Sequence, residues 1–264
     1  MDKPLTTLIY SDQKNQVCWQ GYNFSESNAF NTFMSKVVAA RLYDDEGTIE
    51  FENHLKGLVA TDFAQDNIKQ ILEAEVKEER SWAVGEAIAE AWLSINNSII
   101  WPWNMERDKR TPKASLPGAD LVGFYVANSI TRLVLGEVKT SGEKRYPPQV
   151  MSGRSGIEHQ IDKLATQPGL IATLLKWLWP RCKYTSFKVH FDTSVAAYLE
   201  SGNKAVSLFG VLIRDTDTNE QDLKDRGSSL GMSIKHPTTC NLIALYIPCS
   251  IADLPDKLKE GDSL

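Results

Sequence analysis

The sequence lacks the loops and motifs that mark several common enzyme classes. It contains no Gly-x-x-x-x-Gly-Lys-Ser/Thr or Gly-x-Gly-x-x-Gly phosphate-binding loop, so we do not expect the chain to hydrolyse ATP by itself. It also lacks a nucleophile elbow and a cofactor cradle, which disfavours a small-molecule hydrolase. Internal repeats and low-complexity segments are absent as well.

Cysteine and histidine are scarce and scattered along the chain. There are four of each, and neither type falls into a Cys-x-x-Cys or zinc-ligand spacing. This pattern argues against a zinc site and against a disulfide framework. The residues are Cys18, Cys182, Cys240, Cys249, His54, His159, His190 and His236.

Long apolar runs are missing too. The longest, residues 169–179, is interrupted by Lys176 and followed by Pro180, and it is too short to cross a bilayer. The N-terminus has no signal-peptide core. We therefore expect a soluble, cytoplasmic protein with no membrane partner, large enough at 264 residues and 42% hydrophobic content to bury one or two cores.

Positive charge is in short supply for a protein that binds nucleic acid unaided. The chain has 29 Lys and Arg against 34 Asp and Glu, a net charge of −5. Proteins that grip nucleic acid alone usually carry a basic footprint, because neutralising phosphates releases counterions. If the substrate is nucleic acid, either a local basic patch suffices or a partner delivers it, and we favour the partner.

Two predicted apolar strands carry charged residues at one end. Gly118 and Ala119 lead into Asp120 and one strand, and a second strand ends in Glu137-Val138-Lys139. Because side chains on a strand alternate between faces, Glu137 and Lys139 point the same way and Val138 is buried behind them. If the two strands pair as a hairpin, Asp120 and Glu137 meet beside the Lys139 ammonium.

Two carboxylates beside one ammonium are the parts of a divalent-metal phosphodiesterase. Mg²⁺ prefers oxygen ligands and keeps several waters, so Asp120 and Glu137 could hold it, with the Val138 carbonyl as a further ligand. Lys139 could orient or help to deprotonate the attacking water and offset charge in the transition state. An ion pair on an edge strand is the structural alternative.

A second Glu-x-Lys occurs at Glu75-Val76-Lys77. It lies in a run of helix formers with charges at helical spacing, which is typical of a solvated helix surface. We do not expect it to bind metal.

The Gly-Ala-Asp strand followed by Gly-Glu-Val-Lys resembles the PD-(D/E)xK nuclease superfamily over roughly residues 80–215. The usual proline is displaced by one position, to Pro117. The resemblance implies an αβββαβ, restriction-endonuclease-like core, in which the first acid and the Glu-x-Lys form an Mg²⁺ site, with Mn²⁺ as a possible substitute.

The resemblance also implies helpers from the flanking helices. An amphipathic helix over residues 81–93 places Glu86 and Glu90 one turn apart, and the family's first helix often donates an acid; we choose Glu86, with Glu90 as the alternative. Family members often use a glutamine from the helix after the Glu-x-Lys strand, here Gln160 in a helix over residues 157–164 that Ser155 is expected to cap. The loops before it supply the candidate phosphate contacts Lys144, Arg145 and Arg154.

The whole chain is predicted to be α/β, with a mixed central sheet flanked by helices. We divide it into an N-terminal α/β extension, residues 1–78, which could bind a partner, and a nuclease core with C-terminal strands, residues 79–264. Strands are predicted near residues 8–10, 99–103, 184–191, 206–213 and 242–247, and helices near 29–40, 54–79 and 170–179. Phe30, Phe33 and Phe63 are predicted core residues, and 214–237 a polar excursion or lid.

The length, the helix with Gly85 and Glu86, the two acid-bearing strands and the N-terminal extension together resemble the nuclease subunits of Hachiman anti-phage defence systems, the HamA family. That resemblance implies a helicase partner, HamB, whose motor contacts DNA and restrains or releases the nuclease. The functional hypothesis is a metal-dependent DNA nuclease in such a complex. The alternative is a non-catalytic adaptor of nuclease fold that binds a helicase or DNA ends.

Overall fold

A mixed sheet of seven strands lies at the centre of the fold in the computed structural model, which describes residues 5–26, 28–73, 81–108 and 118–258. The spatial order of the strands is β1-β2-β7-β6-β5-β4-β3. Their bounds are β1 Thr6–Lys14, β2 Val17–Phe24, β3 Ile99–Ile100, β4 Leu121–Ala127, β5 Ile130–Ser141, β6 Val206–Arg214 and β7 Thr239–Tyr246. The predicted α/β class is confirmed.

The four central strands, β2, β7, β6 and β5, are parallel to one another, and the outer neighbours pair antiparallel. The buried parallel strands read as nearly continuous apolar runs, as in β6, where every residue is buried. Strands β1 and β2, from the segment predicted as an N-terminal extension, hydrogen-bond into this same sheet through β7.

Helices cover both faces of the sheet. Their bounds are α1 Asn28–Thr32, a π-helical turn Phe33–Val38, α2 Ala39–Leu42, α3 Asp45–Leu58, α4 Asp62–Glu73, α5 Ser81–Asn97, α6 Met105–Asp108, α7 Ile157–Thr166, α8 Pro168–Cys182, α9 Lys188–Glu200, α10 Lys224–Ser233 and α11 Leu254–Lys257. Short 3₁₀ turns lie at Gln149–Met151, Glu220–Asp222 and Ile251–Asp253.

Two glycines show which helix lies on which face. A Cβ added at Gly85 of α5 would meet Thr140 Cγ2 at 2.4 Å, and one added at Gly210 of β6 would meet Ile157 Cγ2 of α7 at 2.6 Å. Gly210 is the register partner of Glu137, which lies three residues before Thr140 on β5. Because successive side chains alternate, α5 and α7 pack on opposite faces.

Most predicted elements are present. Strands at the positions of β1, β6 and β7 and the helical run at residues 28–42 confirm the predictions, and Phe30 and Phe33 are buried. Phe63 is 77% exposed, however, so its assignment to the core was wrong. The single helix predicted over 54–79 is instead two helices, α3 and α4, because the chain is extended at Val59 and Thr61 accepts the first hydrogen bonds of α4. The end of that prediction, 74–79, and the second Glu-x-Lys lie outside the described residues.

The strand predicted at residues 184–191 was also wrong, because α9 begins at Lys188. Its alternation is short, and the helix is fixed by tertiary packing on β5, with Ser194 and Tyr198 buried one turn apart. The predicted lid at 214–237 is a crossover connection between parallel strands β6 and β7, whose helix α10 packs on β1 and β2.

The sequence predicts no apolar run long enough to cross a bilayer. Within the four described stretches, no helix combines the length and the apolar character needed to cross a bilayer.

The close approach of α5 to β5 predicts a specific cost for a methyl group at Gly85. We expect Gly85→Ala to lower the free energy of unfolding by about 1–3 kcal/mol, because the added Cβ displaces α5 or Thr140. Gly85→Ala combined with Thr140→Ser, which removes the opposing methyl, should recover most of the loss. Urea denaturation measures both.

Gly57→Ala is the matched control, because Gly57 is helical and has no atom within 4 Å of the added Cβ. It should be neutral or stabilise by about 0.5–1 kcal/mol. Equal effects at the two glycines would contradict the packing argument.

Candidate functional site

The candidate site lies where the β4–β5 hairpin opens. Leu121, the first residue of β4, is opposite Gly136, and the Asp120 N–H donates to the Gly136 carbonyl at 2.9 Å. Strand β5 continues to Ser141 beyond this point and pairs there with β6. Residues 137–141 therefore present one backbone edge that β4 leaves open.

The Asp120 side chain takes over the hydrogen bond that a longer β4 would have made. Its Oδ2 accepts from the Val138 N–H at 2.9 Å. Within one strand residue the N–H and C=O point to the same side, so the Val138 carbonyl faces the open edge beside Asp120. The Val138 side chain is 5% exposed, as predicted.

The two acids and the lysine come together as the sequence predicts. Lys139 Nζ forms a hydrogen-bonded ion pair with Glu137 Oε1 and lies 3.7 Å from Asp120 Oδ2. All three side chains are largely withdrawn from solvent, with 11% of Glu137, 14% of Asp120 and 26% of Lys139 exposed. The predicted hairpin geometry thus places two carboxylates around one ammonium.

Burial and the neighbouring charges shift the pKa values of Glu137 and Lys139. Desolvation and the Asp120 carboxylate raise the pKa of Glu137 to about 7, although the Lys139 ammonium opposes them. Burial alone would lower the pKa of Lys139, but the charges of Asp120 and Glu137 more than offset it, and Glu86 adds to the rise. Lys139 is therefore a cation at neutral pH.

Glu86 and Glu90, the two candidates from α5, occupy different surroundings. Glu86 is buried near enough for its charge to act on Lys139, and the contact between Gly85 and Thr140 brings this turn of α5 onto the end of β5. Glu90 accepts from Arg41 Nε at 2.8 Å and forms an ion pair with its Nη2. Of the two glutamates, Glu86 is thus the one whose charge acts on Lys139.

Gln160 lies near the start of α7 but is not joined to the acid cluster. Its Nε2 donates to the Arg154 carbonyl at 2.6 Å. Gly156 occupies the N-cap position, so the prediction of Ser155 as the cap was wrong; a Cβ at 156 would clash with the Ser152 backbone.

The loop after β5 is held by a buried arginine that the sequence analysis missed. Arg214, fully buried at the end of β6, donates to the Ser141 carbonyl at 2.7 Å and the Arg145 carbonyl at 3.2 Å, and pairs with Asp222 at 3.2 Å. The signal available was an arginine closing an apolar strand, but its partners are distant in sequence. This network fixes the backbone that carries the predicted phosphate contacts.

Those predicted contacts are surface side chains. Lys144 is exposed and lines a cleft with Tyr146 and Asp217. Arg145 is 61% exposed and pairs with Glu143 at 3.1 Å, and Arg154 is exposed on the following loop. They are therefore accessible to a ligand.

The donors present suit a hard cation that keeps part of its water shell. Asp120, Glu137 and the Val138 carbonyl supply oxygen ligands at one edge, and Mg²⁺ commonly binds through one or two carboxylates. Across the described residues no group of three or more His, Cys, Asp or Glu is arranged to hold a metal. Water and substrate oxygens would have to complete the coordination.

Comparisons with protein-family models and with curated proteins find no match to this chain. The chemistry proposed below rests on the geometry of the site and on the sequence resemblance described above.

The raised pKa of Glu137 predicts how stability depends on pH in metal-free, chelator-containing buffer. The folded chain keeps this proton up to about pH 7, whereas an unfolded glutamate loses it near 4.5. The folded state thus binds more protons between these values, so this contribution to stability is present at low pH and is lost as pH rises through the window. Glutamine carries no charge to desolvate, so Glu137→Gln should be more stable than the parent by about 1–3 kcal/mol near pH 8.

The difference between Glu137→Gln and the parent should shrink toward zero near pH 4–5. Urea titrations across this range measure it, and Glu200→Gln, at an exposed position on α9, is the control that should show no such trend. A pH-independent difference at position 137 would contradict the shifted pKa.

Proposed function

We propose that this chain is a Mg²⁺-dependent nuclease of the PD-(D/E)xK type that hydrolyses phosphodiester bonds in DNA. The observation that carries the proposal is the convergence of Asp120, Glu137 and Lys139 at the open end of the β4–β5 hairpin. The burial that raises the pKa of Glu137 costs stability, and groups with perturbed pKa values cluster at functional sites.

The order and pairing of the elements support a restriction-endonuclease-like core. Helix α5 precedes the antiparallel strands β3, β4 and β5, and helices α7 to α9 then cross to β6, which is parallel to β5. This is the αβββαβ order that the sequence resemblance implies. The two acids lie where the resemblance implies them, Asp120 just before β4 and Glu137 late in β5.

Each residue of the cluster has a distinct role in the proposed reaction. Asp120, Glu137 and the Val138 carbonyl would hold the cation, whose bound form would acidify water and polarise the phosphate. Lys139, kept protonated by its two acidic neighbours, orients the attacking water and offsets the negative charge that develops on the phosphoryl group. Glu86 helps to keep the Lys139 ammonium charged.

The remaining candidates would bind the substrate. Lys144, Arg145 and Arg154 provide phosphate contacts on loops next to β5 and α7, and Gln160 would contact the scissile phosphate or its water from α7. The resemblance to the HamA family extends the proposal to a helicase partner of the HamB type within an anti-phage defence complex. Such a partner would bring DNA to a chain with net charge −5 and no phosphate-binding loop for ATP.

The nuclease proposal predicts metal-dependent DNA loss that requires the cluster. Purified chain, alone and with a helicase of the HamB type, is incubated with plasmid DNA and Mg²⁺ or Mn²⁺. Asp120→Asn, Glu137→Gln and Lys139→Met should each reduce the cleavage rate by about 100-fold or more, because each removes charge used in the transition state. A chelator should abolish cleavage.

The second Glu-x-Lys of the sequence supplies matched controls. Glu75→Gln and Lys77→Met make the same chemical changes in the same tripeptide pattern and should leave the rate unchanged. DNA loss that is equal in all variants would reject the proposal.

Metal binding gives a test that does not need a substrate. Calorimetric titration with Mn²⁺ or Mg²⁺ should show binding by the parent chain and loss of binding in Asp120→Ala, since that change removes one of the two carboxylates. If the intact chain binds neither metal, the adaptor of nuclease fold becomes the better assignment.

A further inference from the structure

A polar cavity lies at the end of the sheet farthest from the acid cluster. Its volume is about 420 Å³, and it begins where α5 ends, with Asn97 in its wall. Such a volume is in the range of small-ligand pockets. The remaining wall comes from strand residues and from the turn between β1 and β2.

The register shows that most of the strand residues that line this cavity share one face of the sheet. Tyr125 is opposite Arg132, Ser207 is opposite Thr239, and Phe209 is opposite Asn241. Arg132 and Thr140 are an even number of residues apart on β5, so both lie on the face that α5 covers. The cavity is thus the part of that face beyond the last turn of α5.

The composition of this face changes from apolar to polar along neighbouring strands. Under α5, β6 and β7 contribute Val211, Ile213, Ile243 and Leu245, all buried. Beyond α5 the same face carries Ser207, Thr239 and Asn241. An apolar face beyond α5 would suit packing against another helix. The hydroxyl and amide side chains found there instead suit hydrogen bonds to a small ligand.

The charges in the cavity favour an anion. Arg132 is its one cationic lining residue, and the lining contains no Asp or Glu. Arg132 donates to the Pro237 carbonyl at 3.1 Å and forms no ion pair with any carboxylate in the described part of the chain. In a protein with net charge −5, an arginine without a carboxylate partner beside a polar cavity is suited to a phosphate or carboxylate.

The side chain of Asn97, in the same wall, has a carbonyl oxygen without a hydrogen-bond donor in the ranges that the structure describes. Asn97 Oδ1 is buried and accepts no hydrogen bond from the described residues. A buried acceptor left without a donor costs about 1–3 kcal/mol. The Asn97 amide would turn toward the cavity for a ligand N–H or O–H group to reach this oxygen. The partly exposed Tyr125 side chain in the same wall provides aromatic surface for a planar ring.

We propose that this cavity binds a small organic anion of mononucleotide size, with its charged group on Arg132 and a hydrogen-bond donor on Asn97 Oδ1. The site is separate from the acid cluster: Arg132 and Lys139 are seven residues apart on β5, roughly 20 Å along the strand, and lie on opposite faces. The site neither depends on the nuclease proposal nor shares residues with it.

The test uses the four 5′-nucleoside monophosphates, with inorganic phosphate and the uncharged nucleosides as comparison probes. Chelator is present throughout, so that no cation bound at Asp120 and Glu137 attracts the anions. Calorimetry should show at least one monophosphate binding with one-to-one stoichiometry, about tenfold or more tighter than inorganic phosphate or its nucleoside. Absence of binding by all four at about 1 mM, or binding no tighter than that of phosphate, would overturn the proposal.

Variants locate the binding. Arg132→Gln and Asn97→Leu should each weaken the monophosphate by about tenfold or more. Arg107→Gln is the control, because Arg107 lines another cleft in which it already pairs with Asp44 at 3.3 Å. Equal affinity in Arg132→Gln and the parent would place the ligand elsewhere and refute the assignment.

Cysteine labelling tests the unaltered chain, so that a folding defect in a variant cannot decide the outcome. Cys18 lines this cavity, Cys249 lines the cleft beside Lys144, and both are partly exposed. Bound monophosphate should slow alkylation of Cys18 several-fold and leave Cys249 unchanged. Protection of neither thiol, or of both equally, would contradict binding at this cavity.

Discussion

The hydrogen bond from the Val138 N–H to the Asp120 carboxylate is the interaction on which the candidate site depends. It replaces a backbone ladder bond with a side-chain bond just where β4 begins. The edge of β5 is thereby satisfied without being covered by another strand. The same carboxylate lies 3.7 Å from the Lys139 ammonium. Asp120 therefore holds both the backbone of β5 and the charged cluster, and these two contacts fix the orientation of its side chain.

The packing around this bond explains how a cluster of like charges is tolerated. Two acids near each other repel, and burial raises the cost, as the shifted pKa of Glu137 shows. The ion pairs with the Lys139 ammonium and the hydrogen bond from the Val138 N–H offset part of that cost. Farther along, buried Arg214 ties the ends of β5 and β6 together through backbone carbonyls, so the loop that follows the cluster begins from a fixed backbone.

The sequence was most informative where a local rule sufficed. Strand alternation and one short hairpin placed Glu137, Lys139 and Asp120 together, and the α/β class followed from apolar runs. It failed where packing between distant residues decides. Helix α9 forms over part of a predicted strand because Ser194 and Tyr198 are buried. The N-cap of α7 is Gly156 and not Ser155, and a side chain at 156 would clash with the backbone of Ser152. Arg214 with Asp222, and the cavity at Arg132, need the register of strands far apart in sequence.

Helix α5 has a mechanical consequence. One turn, at Gly85 and Glu86, lies against the end of β5, and the next, at Glu90, is clamped by Arg41 from the helical run at residues 28–42. A rigid helix rises about 1.5 Å per residue, so these two attachments are only about 6 Å apart on a short lever. A displacement of the helical run at residues 28–42 would therefore pull on α5 only about 6 Å from the turn that packs against the end of β5.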